Sequence, residues 1–285
     1  MSAASGDFAR ELEVARQLAL DAGREILAVY ATGFAVTQKP DDAGPVTQAD
    51  LSANALILEG LRAAFPDDAV IAEESDAAQN AAMARCRRCW FVDPMDGTQE
   101  FVDRNGMFAV QIGLAVEGRP RVGVVYAPAL RKLYAGVVGH GATLERADGS
   151  KRPLRVPPAP AFARDLRLCV SRSHQSAKTV LARDALGLTR VIAYGSVGLK
   201  AGLVAEGEAD LYLHPGDRSY RWDSCAPEAV LTAAGGVLVD LTGTPYPYDG
   251  TELRNVRGLV GASPGAWALA RAEILRIAPP PGAVD

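Results

Sequence analysis

Apolar side chains recur every three or four positions along the first part of the chain, which is typical of an amphipathic helix. The members of this stripe are Phe8, Leu12, Ala15, Ala19, Ala22 and Ile26. A stretch with Gly and Pro, residues 33 to 45, separates it from a second helical pattern over Asp50–Phe65. Pro66 and the two aspartates that follow it predict the end of this second helix.

Short runs rich in β-forming residues follow the second helix, with glycine-containing turns between most of them. The predicted strands are Ala69–Ala72, Cys89–Val92, Phe108–Val116, Arg121–Tyr126 and Lys132–Val138. Strands spaced this closely pair most simply through hairpins, so the pattern predicts an antiparallel or meander sheet.

The order of predicted elements changes after a proline-rich stretch, Pro153 to Pro160, where strands begin to alternate with helices. The predicted strands are Leu166–Ser171, Arg190–Ala193, Ala209–Leu213, Val237–Asp240 and Arg257–Gly261. The predicted helices are Gln175–Leu186, Val197–Glu206, Ser224–Ala234 and Pro264–Ile277. This alternation predicts an α/β layer. We therefore expect an N-terminal α+β domain over residues 1–155 and a C-terminal α/β domain over residues 156–285.

Composition narrows the class of protein. The 285 residues include 30 Lys and Arg against 34 Asp and Glu, for a net charge of −4, and 48% are hydrophobic. These values are typical of a globular protein and exclude disorder as the main state. The slight acidity argues against binding a nucleic-acid polymer through a basic face, but a bound cation can still attract a small anion. No apolar run of 18 residues or basic leader is present, so we expect no membrane span and a cytoplasmic location.

Cysteines add little to this picture. The four of them, Cys86, Cys89, Cys169 and Cys225, do not form a disulfide framework in a chain of this length. Cys86-Arg-Arg-Cys89 is a single CxxC with no second pair and no nearby histidine. Reduced cysteines in a cytosolic protein are favoured over a zinc or redox site.

The most informative stretch is Trp90-Phe-Val-Asp-Pro-Met-Asp-Gly-Thr98, an apolar strand that leads into two carboxylates. Carboxylates suit a hard cation such as Mg²⁺. Gly97 and Thr98 begin a short helical pattern, where free backbone N–H groups suit a phosphate. Because Asp, Pro and Gly are also common turn residues, this stretch alone leaves an ordinary turn open.

Three further acidic clusters occupy similar positions. Glu73 and Glu74 directly follow an apolar strand, and Asp50 and Asp223 each lie at a predicted helix start. For Asp50 and Asp223 the alternative is a helix N-cap, which is compatible with a catalytic role. Four such clusters together favour a site for metal and phosphate over four unrelated turns.

The stretch Asp93-Pro-Met-Asp-Gly-Thr98, with Glu73-Glu74 before it and Trp222-Asp223 after it, resembles the signature of the inositol monophosphatase superfamily. Residues 101–106, 123–128, 171–174 and 203–207 resemble its CysQ-type 3′(2′),5′-bisphosphate nucleotidase branch. The resemblance covers about Thr47 to Gly236. It implies a layered αβαβα sandwich of the inositol monophosphatase/fructose-bisphosphatase type. It also implies a Mg²⁺-dependent, lithium-sensitive phosphomonoesterase, as used in sulfur assimilation.

Carried over residue by residue, the resemblance implies a full set of roles. The metal ligands, for two or three Mg²⁺ per site, would be Glu73, Asp93, Asp96, Asp223 and the carbonyl of Met95. The catalytic residues that orient and deprotonate the attacking water would be Asp50 and Thr98, with Glu73. Phosphate would lie on the N–H groups of Gly97 and Thr98. The substrate pocket would include Ser171, His174, Gly195, Ser196, Lys200 and Asp223.

The branch implies a small phosphorylated substrate, foremost 3′-phosphoadenosine 5′-phosphate, hydrolysed to AMP and phosphate by water. An inositol or other sugar phosphate is the alternative substrate. An inactive relative that binds a phosphorylated ligand and regulates a partner is a second alternative. Family members are often dimers, so a homodimer is possible.

Two departures from the family pattern stand out. The second signature is usually Trp-Asp-x-Ala-Ala-Gly, whereas this chain has Trp222-Asp-Ser-Cys-Ala-Pro227. Proline in a first helical turn is compatible with a helix start. The branch often has an arginine where this chain has His214, with Arg218 and Arg221 nearby. The contacts to a second phosphate are therefore open at this point.

Overall fold

The computed structural model describes residues 8–38, 45–173 and 176–278. Within these ranges the helices are α1 (Ala9–Tyr30), α2 (Gln48–Ala64), α3 (Ala77–Met83), α4 (Thr98–Val102), α5 (Ala177–Ala185), α6 (Val197–Glu206), α7 (Arg221–Ala233) and α8 (Pro264–Ile277). The strands are β1 (Val36–Gln38), β2 (Pro45–Thr47), β3 (Ala69–Ala72), β4 (Arg88–Asp96), β5 (Ala109–Val116), β6 (Arg119–Ala127), β7 (Lys132–Val137), β8 (Gly141–Arg146), β9 (Lys151–Leu154), β10 (Arg167–Ser171), β11 (Arg190–Tyr194), β12 (Leu211–His214), β13 (Val237–Val239) and β14 (Leu259–Ala262).

A seven-stranded sheet follows the chain order from β3 to β9. β3 and β4 are parallel, and each later neighbour is antiparallel, which confirms the predicted meander. Strands β1, β2, β8 and β9 and helix α3 were not predicted. α3 has only seven residues, which is too short for a clear helical period, and β9 is mostly exposed.

The second half forms a five-stranded sheet in the order β11-β10-β12-β14-β13. β10 is parallel to both of its neighbours, whereas β14 is antiparallel to β12 and β13. The predicted alternation of strands and helices is therefore confirmed, with a mixed rather than fully parallel sheet.

The elements stack in five layers. α1 and α2 pack on one face of the seven-stranded sheet, α6 and α7 lie between the two sheets, and α5 and α8 pack together, with α8 on the far sheet. This is the αβαβα sandwich that the resemblance implied. The two sheets divide between residues 154 and 167, but a single buried cluster includes side chains from both. The boundary at residue 155 stays a prediction.

Helix α7 lies unusually close to the seven-stranded sheet. A Cβ at Gly123 would come within 2.2 Å of the Ala226 carbonyl oxygen, and one at Gly113 within 2.6 Å of the Ala226 nitrogen. Side chains at these two strand positions would push the helix away, so glycine is required for the approach. Because α7 carries Asp223 and β4 carries Asp93, this packing sets how closely the acidic residues of the two halves approach each other.

Across residues 8–38, 45–173 and 176–278, no helix is long and apolar enough to cross a bilayer. All four cysteines are free; Cys86 is exposed and the other three are buried.

Candidate active site

A bulge at the end of β4 sets the direction of its two carboxylates. Asp93 pairs with Gln111 on β5 and Asp96 with Ala109, so three steps on β4 match two on β5. Pro94, which cannot donate a ladder hydrogen bond, is accommodated at this irregularity. The backbone N–H of Met95 donates to Asp93 Oδ1 at 2.9 Å. The aspartates therefore leave the regular alternation of the strand.

Asp50 lies in the first turn of α2, but it is not the N-cap that the sequence left as an alternative. Thr47 is the N-cap, and Asp50 accepts hydrogen bonds at Oδ2 from the N–H and the hydroxyl of Thr47, both at 2.7 Å. This reciprocal capping box leaves Oδ1 to accept the Thr98 hydroxyl at 3.1 Å. Burial, the largest effect, raises the pKa of Asp50 above its usual value.

Asp223 occupies the equivalent position on α7. The helix begins at Arg221, three residues before the predicted start, and the N–H of Tyr220 donates to Asp223 Oδ2 at 2.7 Å. Two helix starts from opposite halves of the chain thus each carry a carboxylate fixed by the backbone N–H of the residue three positions before it.

Four carboxyl groups of the predicted metal set lie close enough to perturb one another. Burial and then the negative charges of Glu73, Asp96 and Asp223 raise the pKa of Asp93 well above its usual range. Burial and the charges of Asp96 and Glu73 do the same to the pKa of Asp223. Such a cluster is unfavourable when fully ionised, and a divalent cation would offset the repulsion.

Asp96 is held by donors from two other elements. Its Oδ2 accepts from Gln111 Nε2 at 2.6 Å, Ser196 Oγ at 2.6 Å and Gly198 N at 3.2 Å, and also from Val197 N. Ser196 has φ 55°, a left-handed value uncommon for a residue with a side chain. Its hydroxyl also caps α6 by accepting from Leu199 N at 3.2 Å.

The donor set fits a hard divalent cation. All side-chain donors are carboxylate oxygens, and the carbonyl of Met95 lies beside them, where it accepts from Thr98 Oγ1 at 3.3 Å. In the described part of the chain, no three acidic, cysteine or histidine side chains form a ready coordination shell. The carboxylates instead hydrogen-bond to one another and to N–H groups.

A cavity of about 1170 Å³ opens beside these groups. The predicted site residues that line it are Glu73, Asp96, Gly97, Thr98, Ser171, Ser196, Lys200 and Asp223. Asp50, Asp93 and Met95 are buried and lie outside this lining. His174 lies outside the described residues. The volume exceeds that of most small-ligand sites, which leaves room for a nucleotide.

Gly195 has a packing role that its predicted role in the pocket did not include. A Cβ at this position would come within 2.4 Å of the Met107 carbonyl oxygen and 2.5 Å of Glu100 Cγ. Gly195 is not among the residues that line the cavity. Glycine here lets the end of β11 approach the α4–β5 connection closely.

Sequence reasoning missed two polar residues of the site. Gln111 is the one polar side chain in a strand of otherwise apolar residues, and its exposure is 0%. A lone amide in a buried strand is a signal that could have been used. Glu100 is also buried and accepts a hydrogen bond from the Ser173 hydroxyl, which joins α4 to the segment after β10. Nothing local in the sequence indicates that second contact.

The fold and the acidic site together define the class. Residues 8–278 match the model of the inositol monophosphatase family, so the chain belongs to that family of phosphoric monoester hydrolases. Its relatives include the "3′(2′),5′-bisphosphate nucleotidase CysQ" of Salmonella typhimurium, 39% identical over 85% of this chain and 95% of that protein. The protein of the same name from Escherichia coli K12 is 38% identical over 83% and 93%.

Solved structures support the same fold and family. The crystal structure of CysQ from Bacteroides thetaiotaomicron has a TM-score of 0.74 and 31% identity, and covers 90% of this chain and 98% of that one. An inositol monophosphatase from Anabaena has a TM-score of 0.73 and 26% identity, with 96% and 98% covered. The predicted fold and membership of the superfamily are confirmed.

Proposed function

We propose that this protein hydrolyses the 3′-phosphate of 3′-phosphoadenosine 5′-phosphate, giving AMP and inorganic phosphate. The observation that carries the proposal is the cluster of mutually repelling carboxylates around the buried Asp93, beside a nucleotide-sized cavity. The names of the CysQ relatives support the choice of a bisphosphate nucleotide.

Magnesium is the metal we propose, with Glu73, Asp93, Asp96, Asp223 and the Met95 carbonyl as its ligands. All of these are oxygen donors. When bound, Mg²⁺ supplies a water of lowered pKa and neutralises charge on the phosphate. The number of ions per site is part of the proposal, and we expect two or three.

Asp50 and Thr98 are proposed to act as a pair on the attacking water. The Thr98 hydroxyl donates to Asp50 Oδ1 at 3.1 Å, which fixes the direction of the hydroxyl lone pairs. Burial raises the pKa of Asp50, which brings this carboxylate closer to the range of an effective general base. Glu73, which lines the cavity, is proposed to assist.

The remaining residues are proposed to hold the substrate. Gly97 has φ 96°, and the N–H groups of Gly97 and Thr98 are proposed to hold the phosphate that is cleaved. Ser171, Ser196 and Lys200 line the same cavity and are proposed to contact the nucleotide. Gly195 and His174 keep the substrate-binding roles proposed from the sequence.

A panel of three substrates tests the proposal. With Mg²⁺ present, kcat/KM for 3′-phosphoadenosine 5′-phosphate should exceed the values for inositol 1-phosphate and fructose 1,6-bisphosphate. Phosphate release should vanish with a chelator and return with added Mg²⁺. A higher kcat/KM for inositol 1-phosphate would show that an inositol phosphate, and not a bisphosphate nucleotide, is the substrate. Binding without release of phosphate from any substrate would indicate a regulator.

The resemblance to the family leads us to propose four further properties. These are inhibition by lithium, a homodimer, a cytoplasmic location and a role in sulfur assimilation. Inhibition by lithium is the simplest of these properties to measure. Activity that stays unchanged at tens of millimolar Li⁺ would contradict the proposed lithium sensitivity.

A further inference from the structure

A bisphosphate nucleotide brings two anionic groups into one cavity. The inference that follows rests on the proposed function, in which the carboxylate cluster and its metal take the phosphate that is cleaved. The second phosphate, on the 5′-oxygen, needs a positive partner elsewhere in the cavity. One lysine and two arginines line the described part of the cavity: Lys200, Arg218 and Arg254.

Lys200 already interacts with groups inside the protein. Its side chain is buried, and Nζ donates to the Ser196 carbonyl oxygen at 2.6 Å. Burial lowers the pKa of Lys200, and the negative charges of Asp96, Glu100 and Asp223 act in the opposite direction. A buried ammonium surrounded by this many carboxylates mainly offsets their charge.

Arg254 also has a partner within the protein. Its Nη2 donates to Asp217 Oδ2 at 2.9 Å, and the two side chains form an ion pair. Asp217 therefore offsets part of the charge that Arg254 would bring to a phosphate.

Arg218 is the remaining guanidinium. It is exposed and lines the cavity, and in the described part of the chain no group accepts a hydrogen bond from it or forms an ion pair with it. Its sequence neighbour Asp217 would be the obvious competitor for this charge, but Asp217 is paired with Arg254. His214, at the end of β12, offers a charge only when protonated.

The connection that carries Arg218 is anchored immediately after it. Ser219 is buried, its carbonyl oxygen accepts from Asn255 N at 2.7 Å, and its hydroxyl accepts from Asn255 Nδ2 at 3.2 Å. Arg221 then donates to the carbonyl oxygens of Pro247 and Arg254 at 2.8 and 2.9 Å. Because the backbone is fixed in this way, only the Arg218 side chain itself has to be ordered on binding.

We propose that Arg218 binds the 5′-phosphate of the nucleotide and thereby gives the enzyme its preference for bisphosphates over monophosphates. Its planar guanidinium matches a phosphate through two parallel N–H bonds. Arg254 acts as a positioning residue, because its pairing with Asp217 keeps that carboxylate away from Arg218.

The test compares two substrates that differ only in the second phosphate, 3′-phosphoadenosine 5′-phosphate and adenosine 3′-phosphate. In Arg218→Ala, KM for the bisphosphate should rise about ten- to hundredfold, as expected for one charge-assisted contact, with kcat nearly unchanged. The kcat/KM for adenosine 3′-phosphate should stay at the wild-type value. Equal losses on both substrates, or no change in their ratio, would overturn the proposal.

Three other variants separate a specific contact from a general loss of charge. Arg271→Ala removes an exposed arginine on α8 and should leave the substrate ratio unchanged. Arg254→Ala should lower the preference for the bisphosphate, because Asp217 is then free to pair with Arg218. Adding Asp217→Asn to Arg254→Ala should restore the preference. A double variant no better than Arg254→Ala would contradict the positioning role.

Binding measurements distinguish failure of this inference from failure of the proposed function. In the Mg²⁺-loaded protein, AMP should bind more tightly than adenosine by calorimetry, and Arg218→Ala should abolish the difference. If the wild type does not hydrolyse the bisphosphate but this difference is present and lost in the variant, the proposed function fails and the anion site stands. A difference that persists in Arg218→Ala would overturn the anion site even if the bisphosphate is hydrolysed.

Discussion

At the scale of single residues, the site places carboxylates where they are poorly tolerated without a cation. Asp93 is buried beside Glu73, Asp96 and Asp223, and each neighbour raises the pKa of the Asp93 carboxyl. Groups arranged for function in this way commonly lower the stability of the unliganded fold. Glu228 differs from Asp93 in this respect, because it is a buried carboxyl with no acidic residue of the cluster beside it.

Asp93→Asn should abolish phosphate release while leaving the fold intact. The amide removes one charge from a repulsive cluster, so the melting temperature without Mg²⁺ should equal or exceed that of the wild type. The rise in melting temperature on adding Mg²⁺ should be lost, because one ligand is missing. Near-normal turnover in this variant would refute the metal assignment.

Glu228 on α7 should give the protein a measurable pH dependence of stability. Burial raises its pKa to about 8, while Tyr248 donates to its Oε2 at 2.8 Å. Because the folded-state pKa lies above the unfolded value, the folded state holds the proton between about pH 4.5 and 8. Stability from this group is fully present below about pH 4.5 and is lost progressively as the pH rises to about 8, at up to about 1.4 kcal/mol per pH unit.

Glu228→Gln should flatten that slope. We expect urea unfolding at pH 6 and pH 8.5 to give a smaller difference in unfolding free energy for the variant than for the wild type. An identical slope in both proteins would show that Glu228 does not titrate in this range.

At the scale of elements, the site forms where the ends of several strands and helices lie close together. The bulge of β4, the first turns of α2 and α7 and the N-terminus of α6 each contribute one constraint. Sequence patterns gave most of these elements within a few residues, and α6 and α8 have the predicted bounds. They did not give the partners of Asp96, because Gln111 and Ser196 come from elements 15 and 100 residues away.

If Asp96 is a Mg²⁺ ligand as proposed, Gln111→Leu should weaken Mg²⁺ binding about ten- to hundredfold, which is the usual cost of losing a hydrogen bond to a metal ligand. The variant replaces the amide side chain with an apolar one of similar size, which no longer donates to Asp96 Oδ2. Calorimetric titration of Mg²⁺ measures the effect directly. Glu228→Gln is the control, as a change of a buried polar side chain that does not touch Asp96. Unchanged Mg²⁺ affinity with a lowered melting temperature would mean that Gln111 serves packing alone.

At the scale of the whole molecule, α6 is fixed to the seven-stranded sheet at both of its ends. Its N-terminus binds Asp96 of β4, and Glu206 at its last turn accepts hydrogen bonds from side chains of three strands. The donors to Glu206 are Lys132 and Tyr134 on β7, Arg146 on β8 and Arg152 on β9. The middle layer is therefore tied to the sheet by polar contacts as well as by its apolar packing.

Glu206→Ala should lower the unfolding free energy by about 3 kcal/mol. The Glu206 side chain is 1% exposed, and its removal leaves the buried Tyr134 hydroxyl without its acceptor. Glu145→Ala is the comparison, since its ion pairs with Arg16 and Lys151 are more exposed and should cost less than about 1 kcal/mol. Equal losses in urea unfolding would contradict a special role for Glu206.

The sequence by itself determined the superfamily and most of the elements, and it predicted the acidic residues of the site. Periodicity and turn residues are local properties, and Asp93-Pro-Met-Asp-Gly-Thr98 is a continuous motif. Only the tertiary structure decided which groups hold Asp96, that Thr47 rather than Asp50 caps α2, and that Arg254 rather than Arg218 pairs with Asp217. Several of these contacts join distant segments, and the choice between two equally charged arginines follows from packing geometry, which no local pattern encodes.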